Sequence, residues 1–440
     1  MEDHHYLYLC LALVSFLLVI ATKRRRAPAQ HGLRPPPGPW QLPIIGSMHH
    51  IAGQLPHRAM RDLSRRHGPV MLLRIGERQL RKVAITELLS ARRVLSFRAI
   101  REEEVAAMLR ACASAAAAAA GVEMREMVSA LVADVTSRAV LGDRCKDRDV
   151  FLRELNLSIE LVAGFNPADL WPSSRLVGRL SGAVRRAEVC RDTVYGILDG
   201  IIKEHLEMID AGGGDGEAED LLDVLLKIQK QGTLQIPLDM DVLKAVIFDI
   251  FGAGSETSAT TLEWAIAELI RNPKAMRRAT AEVRDAFGSL GTVPEHALGE
   301  LKYLHLVIRE TFRLHTPLPL LLPRQSQEPC TVLGYDVPKG ATVLVNERFE
   351  EGEEAGGVEF KGVDFELLPF GAGRRMCPGM SFGLANVELA LASLLFHFDW
   401  EAPGVADPAK FDMTEAFGIT ARRKANLLLR PILRVPVPGV

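Results

Sequence analysis

The sequence predicts a mainly α-helical fold with a small β region, and three observations carry that expectation. Long stretches with apolar residues at helical spacing dominate the pattern beyond residue 78, β-like runs are short and few, and the composition is that of a globular protein, 48% apolar, 25% charged and 6% aromatic. The predicted helices are Arg78 to Phe97, Glu123 to Val140, Arg179 to Asp210, Leu238 to Arg271, Pro273 to Phe287, Gly299 to Leu314 and Ser381 to His397. Within the fourth, Leu243, Val246, Ile247, Ile250, Phe251 and Gly254 form one stripe, and Asn272-Pro273 supplies its stop. Strand candidates are Val70 to Ile75, Thr331 to Val337, Thr342 to Val345 and Asn426 to Leu429, with Pro338-Lys339-Gly340 as a turn. Ala115 to Ala120 and Gly212 to Gly216 are low-complexity segments, read as surface loop or helix margin. No internal repeat is found.

The N-terminal end reads differently. From Tyr6 to Ala21 the chain is almost unbroken Leu, Val, Ile, Ala and Phe, and it stops at Lys23-Arg24-Arg25-Arg26. The cations follow the apolar run and no small-residue cleavage site appears, so a retained membrane anchor fits better than a removed signal, with its basic side facing the cytosol. Pro35-Pro36-Pro37-Gly38-Pro39-Trp40 fixes φ and removes backbone donors, giving a stiff spacer. The expected organisation is an anchor with basic stop over 1–26, a proline-rich hinge over 27–45 and one catalytic domain over 46–440.

Charge and cysteine usage exclude several classes. With 53 basic against 55 acidic side chains, nothing draws the chain to nucleic acid, and that partner is not expected. Cys10, Cys112, Cys145, Cys190, Cys330 and Cys377 show neither a Cys-x-x-Cys pair nor His-rich spacing, which argues against a disulfide scaffold and a zinc site and for a reducing compartment.

The most informative stretch is Phe370-Gly371-Ala372-Gly373-Arg374-Arg375-Met376-Cys377-Pro378-Gly379. Gly371 and Gly373 allow positive φ and close approach of a flat ligand. Cys377 precedes a helix whose start favours a thiolate, and a thiolate can ligate iron. Arg375 can pair with a carboxylate, such as a haem propionate. A buried structural cysteine in a glycine-rich turn is the bland alternative. Chance would produce the Phe-x-x-Gly-x-Arg-x-Cys-x-Gly pattern in roughly two of ten thousand chains of this composition, which decides against it. Thiolate ligation favours oxygen–oxygen cleavage and hence oxygen activation. Elsewhere, Ala253 and Gly254 clear one helical face, and Thr257 can bond back to the carbonyl four residues earlier or donate to a bound ligand while Glu256 relays protons. The bland readings are close helix packing and a polar turn on a solvated face. Glu310 and Arg313, three apart, suit an ordinary helical ion pair.

The decapeptide resembles the haem-binding signature of the cytochrome P450 superfamily. Ala253-Gly254-Ser255-Glu256-Thr257 resembles that family's oxygen-activating segment, Glu310-Thr311-Phe312-Arg313 its Glu-x-x-Arg pair, and Glu347-Arg348-Phe349 the end of its Pro-Glu-Arg-Phe element. The anchor and proline-rich spacer are similar to those of microsomal plant enzymes of specialised metabolism. The resemblance implies haem b as cofactor with Cys377 as iron ligand. Phe370, Gly371, Gly373, Gly379, Ala253 and Gly254 would lie against the cofactor, and Arg375, Arg324 and Arg81 would bind its propionates. It further implies proton delivery by Glu256 and Thr257, a Glu310–Arg313–Arg348 network behind the cysteine loop, and a pocket lined by Phe248, Leu318 to Leu321 and Phe417. The implied partners are an NADPH-cytochrome P450 reductase, the endoplasmic reticulum membrane, with the catalytic domain facing the cytosol, and a small apolar substrate.

The chain departs from the family pattern at two junctions. After Ile75-Gly76 it runs directly into Glu77-Arg78-Gln79-Leu80-Arg81-Lys82, where the family places several tens of further residues, and the family's Trp-x-x-x-Arg becomes Glu77-x-x-x-Arg81. At Val345-Asn346 the link to Glu347-Arg348-Phe349 is shortened. Three readings stay open: a monooxygenase using O2 and NADPH-derived electrons, a haem-thiolate isomerase acting on hydroperoxides, and a non-catalytic remnant or misjoined gene product.

Overall fold

The computed structural model describes residues 91–143, 145, 147–162, 180–210, 220–231, 240–346, 367–373, 376–405, 407–416 and 418–440. The anchor, the hinge, the strand candidate Val70 to Ile75 and the junction at 76–78 lie outside them. Among these residues the helices are α1 (Ala91–Ser96), α2 (Arg98–Ala117), α3 (Met124–Leu141), α4 (Arg148–Val162), α5 (Ala183–Asp210), α6 (Leu221–Gln231), α7 (Met240–Arg271), α8 (Pro273–Phe287), α9 (Lys302–Leu314) and α10 (Met380–His397). The expectation of a mainly helical fold with a small β region is met. Pro273 occupies the first turn of α8, where its missing N–H costs nothing, and Asn272 separates it from α7.

The long helix α7 is the axis of the molecule, and α3, α4, α8, α9 and α10 all pack on it. Its predicted stripe is a core stripe, with Leu243, Val246, Ile247 and Phe251 all buried. These four belong to a smaller hydrophobic core shared with α4, α5 and α6. The second half of α7, from Ala259 through Leu262, Trp264, Ile266 and Leu269, belongs to a larger core with α2, α3, α8, α9 and α10. Residues Ala253 to Ser258 enter neither core, so the polar segment singled out in the sequence falls where the two apolar bodies part.

Helix α10 is apolar all round, which marks a helix surrounded by protein. Leu389, Ala390, Leu391, Ala392, Leu394, Leu395 and Phe396 are each at most 1% exposed. At about 1.5–3 kcal/mol for each large side chain removed from water, this helix is a principal source of stability. It is also long and apolar enough to cross a membrane, but most of it is buried inside the fold, as befits a core helix.

Three small sheets complete the fold. In the first, β7 (Leu428–Leu433) pairs antiparallel with β1 (Val122–Glu123) and β6 (Phe398–Glu401), in register Val122↔Leu429 and Phe398↔Leu433. In the second, β2 (Arg324–Gln325) pairs with β5 (Thr342–Val343), and the predicted turn leads into β5, where Ala341 N–H donates to Pro338 O at 3.1 Å. The predicted strand Thr331 to Val337 is instead a hairpin, β3 (Cys330–Val332) with β4 (Tyr335–Val337). Leu333 and Gly334 stand at φ of 48° and 79°, the two left-handed positions that reverse a two-residue hairpin.

Candidate active site

Cys377 sits on a loop closed by its own backbone. Its N–H donates to Phe370 O at 2.8 Å, Gly371 N–H to Leu368 O at 2.8 Å and Met376 N–H to Gly373 O at 3.1 Å. That path requires φ of 67° at Gly371 and 66° at Gly373, costly for any side chain, so both predicted glycines are used as turn-formers. Phe370 packs edge-on against Phe312 of α9, ring centroids 5.1 Å apart, and ties the loop to the larger core. Gly379 caps α10, three residues before which Cys377 presents an exposed flank.

The loop crowds the sulfur enough that desolvation raises the Cys377 thiol above its usual 9.0, while a hydrogen bond from the Gly379 backbone pulls the other way and is outweighed. A cation at the sulfur favours the thiolate over the thiol.

The Ala253–Thr257 segment approaches the same end of α10. A side chain on Gly254 would meet Thr136 Oγ1 at 3.9 Å and Phe382 at 4.0 Å, and Phe382 lies five residues after Cys377. Ala253 is exposed and Thr257 half-buried. Thr257 takes the first of its two predicted options: its hydroxyl donates to Ala253 O at 2.7 Å.

Glu256 is only 7% exposed, which excludes the solvated polar turn. Its Oε1 accepts from Arg125 Nη2 at 2.9 Å, Thr420 Oγ1 at 2.9 Å and Thr260 Oγ1 at 3.4 Å. Arg125 Nη1 also donates to Glu263 Oε2 at 2.5 Å, and Arg423 Nε lies 3.9 Å from Glu263 Oε1. Burial pushes the Glu263 carboxyl upward against the pull of Arg125. Arg125, Glu263, Thr420 and Arg423 were not singled out in the sequence. Glu263 and Thr260 follow Glu256 at seven and four residues, on one helical face, and that spacing was the available signal.

The remaining predicted residues divide. Arg313 donates to Glu310 through Nε at 2.8 Å and Nη2 at 2.6 Å, a two-point pair in which Arg313 is buried and Glu310 half-exposed. Arg324 lies in β2 opposite Val343 and is half-buried. Leu318 to Leu321 form a turn closed by Leu321 N–H to Leu318 O at 2.9 Å, and Ala421 N–H reaches Pro317 O at 2.9 Å, so this turn touches the segment that holds Glu256. Phe248 packs partly buried against the smaller core. Arg81, Arg348, Arg375 and Phe417 lie outside the described residues. A groove of about 630 Å³ opens elsewhere, between the end of α7, α8 and β6, lined by Ile270, Met276, Arg284 and Trp400.

A cysteine on a loop turned by two positive-φ glycines at the start of a core helix, with a small-residue segment of α7 facing the same helix end, is an arrangement able to hold a flat, sulfur-ligated cofactor. The family model described as Cytochrome P450 matches residues 77–348 and 346–429, and the chain belongs to that family. It is 40% identical to a protein described as dolabradiene monooxygenase from Zea mays, over 99% of each chain. It is 41% identical to one described as zealexin A1 synthase, also from Zea mays, covering 95% of this chain and 96% of that one. Tabersonine 16-hydroxylase 1 of Catharanthus roseus is 37% identical over 98% of each. The first of these alignments spans 507 positions against the 440 residues of this chain, so several tens of positions in the maize protein face no residue here.

Proposed function

We propose that the chain is a haem-thiolate monooxygenase of plant specialised metabolism. It would insert one oxygen atom from O2 into a small apolar substrate, with electrons from NADPH through a cytochrome P450 reductase, while anchored in the endoplasmic reticulum membrane by residues 1–26. The observation that carries this reading is Cys377 on an exposed loop turned by two positive-φ glycines, with Gly254 of α7 facing Phe382 at the start of the helix that follows. Those features fit a flat cofactor with a sulfur ligand. The family's cofactor is haem, and when bound it supplies the oxygen activation that a thiolate ligand favours.

The roles proposed for this chain's residues follow from their chemistry. Cys377 holds the iron, and Phe370, Gly371, Gly373 and Gly379 shape the loop around it. Arg375, Arg324 and Arg81 neutralise the propionates. Thr257 holds a proton now shared with Ala253 O, and rotation about χ1 redirects that hydroxyl. Glu256 is held by three donors on a single oxygen, Oε1, which orients the carboxyl beside Thr257. Glu310, Arg313 and Arg348 brace the loop. The apolar side chains at Phe248, Leu318 to Leu321 and Phe417 favour a hydrophobic substrate, and relatives named for terpenoid and alkaloid oxidation support that class.

A second reading, a non-catalytic remnant or misjoined product, is favoured by one specific observation. The family match begins at 77 and its two segments meet at 346–348, at the two junctions where the sequence departs from the family pattern. One experiment separates the two readings: express the chain, reduce it, add carbon monoxide and record the Soret band. A thiolate-type band that disappears in Cys377→Ser supports the enzyme, and NADPH-dependent turnover with reductase completes it. A folded chain that takes up no haem supports the remnant.

A further inference from the structure

We propose that His205, Asp220 and Asp223 form a binding site for one divalent transition-metal cation, zinc in the first instance, that staples α3, α5 and α6 together. The three side chains come from α5, from the residue preceding α6 and from the first turn of α6. His205 Nδ1 lies 2.9 Å from Asp223 Oδ1 and 3.7 Å from Asp220 Oδ2, and one ligand atom from each residue falls within 4.8 Å of the others. Donors on a tetrahedral zinc ion stand about 3.4 Å apart, given bonds near 2.1 Å, and the two observed spacings bracket that value.

Hydrogen bonding orients the imidazole toward the two carboxylates. Nε2 lies 3.1 Å from Leu141 O, the last residue of α3, and a carbonyl oxygen can only accept. Nε2 therefore carries a hydrogen, and Nδ1 faces both carboxylates. Either a second ring proton or a bound metal cation can sit between Nδ1 and those oxygens, and zinc uptake distinguishes the two. A ring N–H given to a backbone carbonyl is also the outer arrangement that fixes a metal-binding histidine in the correct tautomer.

The surroundings are built for the carboxylate. His205 and Asp220 are 6% and 7% exposed. Asp220 Oδ1 is used by the Asp223 N–H at 2.8 Å, which leaves Oδ2 to face the ring. Gly142 stands at φ 76°, and a Cβ there would come 2.5 Å from Asp220 Oδ2, so glycine is what admits the carboxylate over the end of α3. One imidazole and two carboxylates suit zinc, manganese or iron(II) rather than calcium, and the partly exposed Asp223 leaves an entry path and a place for water.

The test uses the full-length chain, stripped with a chelator and titrated with zinc chloride. One zinc per chain should survive gel filtration by elemental analysis, and saturating zinc should raise the thermal midpoint by roughly 3 °C. Asp223→Asn and His205→Gln, each checked for folding by circular dichroism, should weaken binding at least tenfold and remove the shift. Cys377→Ser and His305→Ala should retain both. A folded wild-type chain that holds no stoichiometric zinc, or zinc content unchanged in both folded site variants, overturns the proposal.

Discussion

Thr420 donates to Glu256 at 2.9 Å across 164 residues of sequence, tying the C-terminal segment to the middle of α7. Arg125 completes that tie by holding Glu256 and the fully buried Glu263 with one guanidinium. Removing one partner of a buried ion pair costs more than the pair contributes, because a charge is left without solvent or counterion. Arg125→Ala should therefore destabilise the fold by about 3–5 kcal/mol in urea unfolding. Arg191→Ala, which breaks an exposed pair with Asp192, should leave the urea midpoint essentially unchanged. Equal losses in the two variants would show that the Arg125 network is not a buried one.

Trp264 makes a second tie to the same segment. Its Nε1–H donates to Ala421 O at 2.6 Å, its ring stacks on His315 with centroids 3.8 Å apart, and Arg423 lies over its face at 5.7 Å. Trp264→Phe keeps much of the stacking and leaves a buried carbonyl without its donor, which costs about 1–3 kcal/mol. Amide exchange over residues 418–423 should speed up in this variant while α8 stays protected. Uniform acceleration across the molecule would contradict a local tie.

Helices α3, α5 and α7 to α10 were legible because their signals are local, whereas α2, α4 and α6 match no predicted stretch. Pro273 sets the start of α8, and the stripe from Leu243 to Phe251 is buried as its spacing requires. Helix α2 escaped because Arg101, Glu104 and the alanines that follow blur its apolar face, and the core buries Arg101 and Glu104 nonetheless. The β3–β4 hairpin escaped because Leu333 adopts a left-handed φ that its side chain does not advertise. At the site, the glycine turns and the Glu310–Arg313 pair follow from neighbours a few residues apart. The burial of Glu256 does not, since Arg125 and Thr420 lie 131 and 164 residues away and no local pattern announces either.

Cys377 should behave as a thiol in the haem-free chain. Desolvation raises its pKa above 9.0, and the opposing Gly379 hydrogen bond does not offset this. In a Cys330→Ser background, which removes the other exposed cysteine among the described residues, iodoacetamide should modify Cys377 slowly at pH 7 and half-maximally only above pH 9. The buried Cys112, Cys145 and Cys190 should stay unreactive until unfolding. Fast alkylation at neutral pH would mean that the helix start dominates after all.

Glu310 supplies a pH dependence with a definite sign. The two-point hydrogen bond from Arg313 holds its carboxyl below the ordinary 4.5, desolvation opposing. Between that lowered value and 4.5 the unfolded chain binds more protons than the folded one, so stability falls as the pH drops. The contribution is complete above the unfolded value and lost as the pH falls through the folded one. Glu310→Gln should accordingly lower the thermal midpoint at pH 6, with the difference from wild type shrinking as the pH is taken below 4.5 and through the folded-state titration. Because Glu310 is half-exposed, the difference at pH 6 should be a few degrees at most, and added salt should reduce it. A gap between the two proteins that persisted unchanged into strong acid would assign the effect to packing instead of charge.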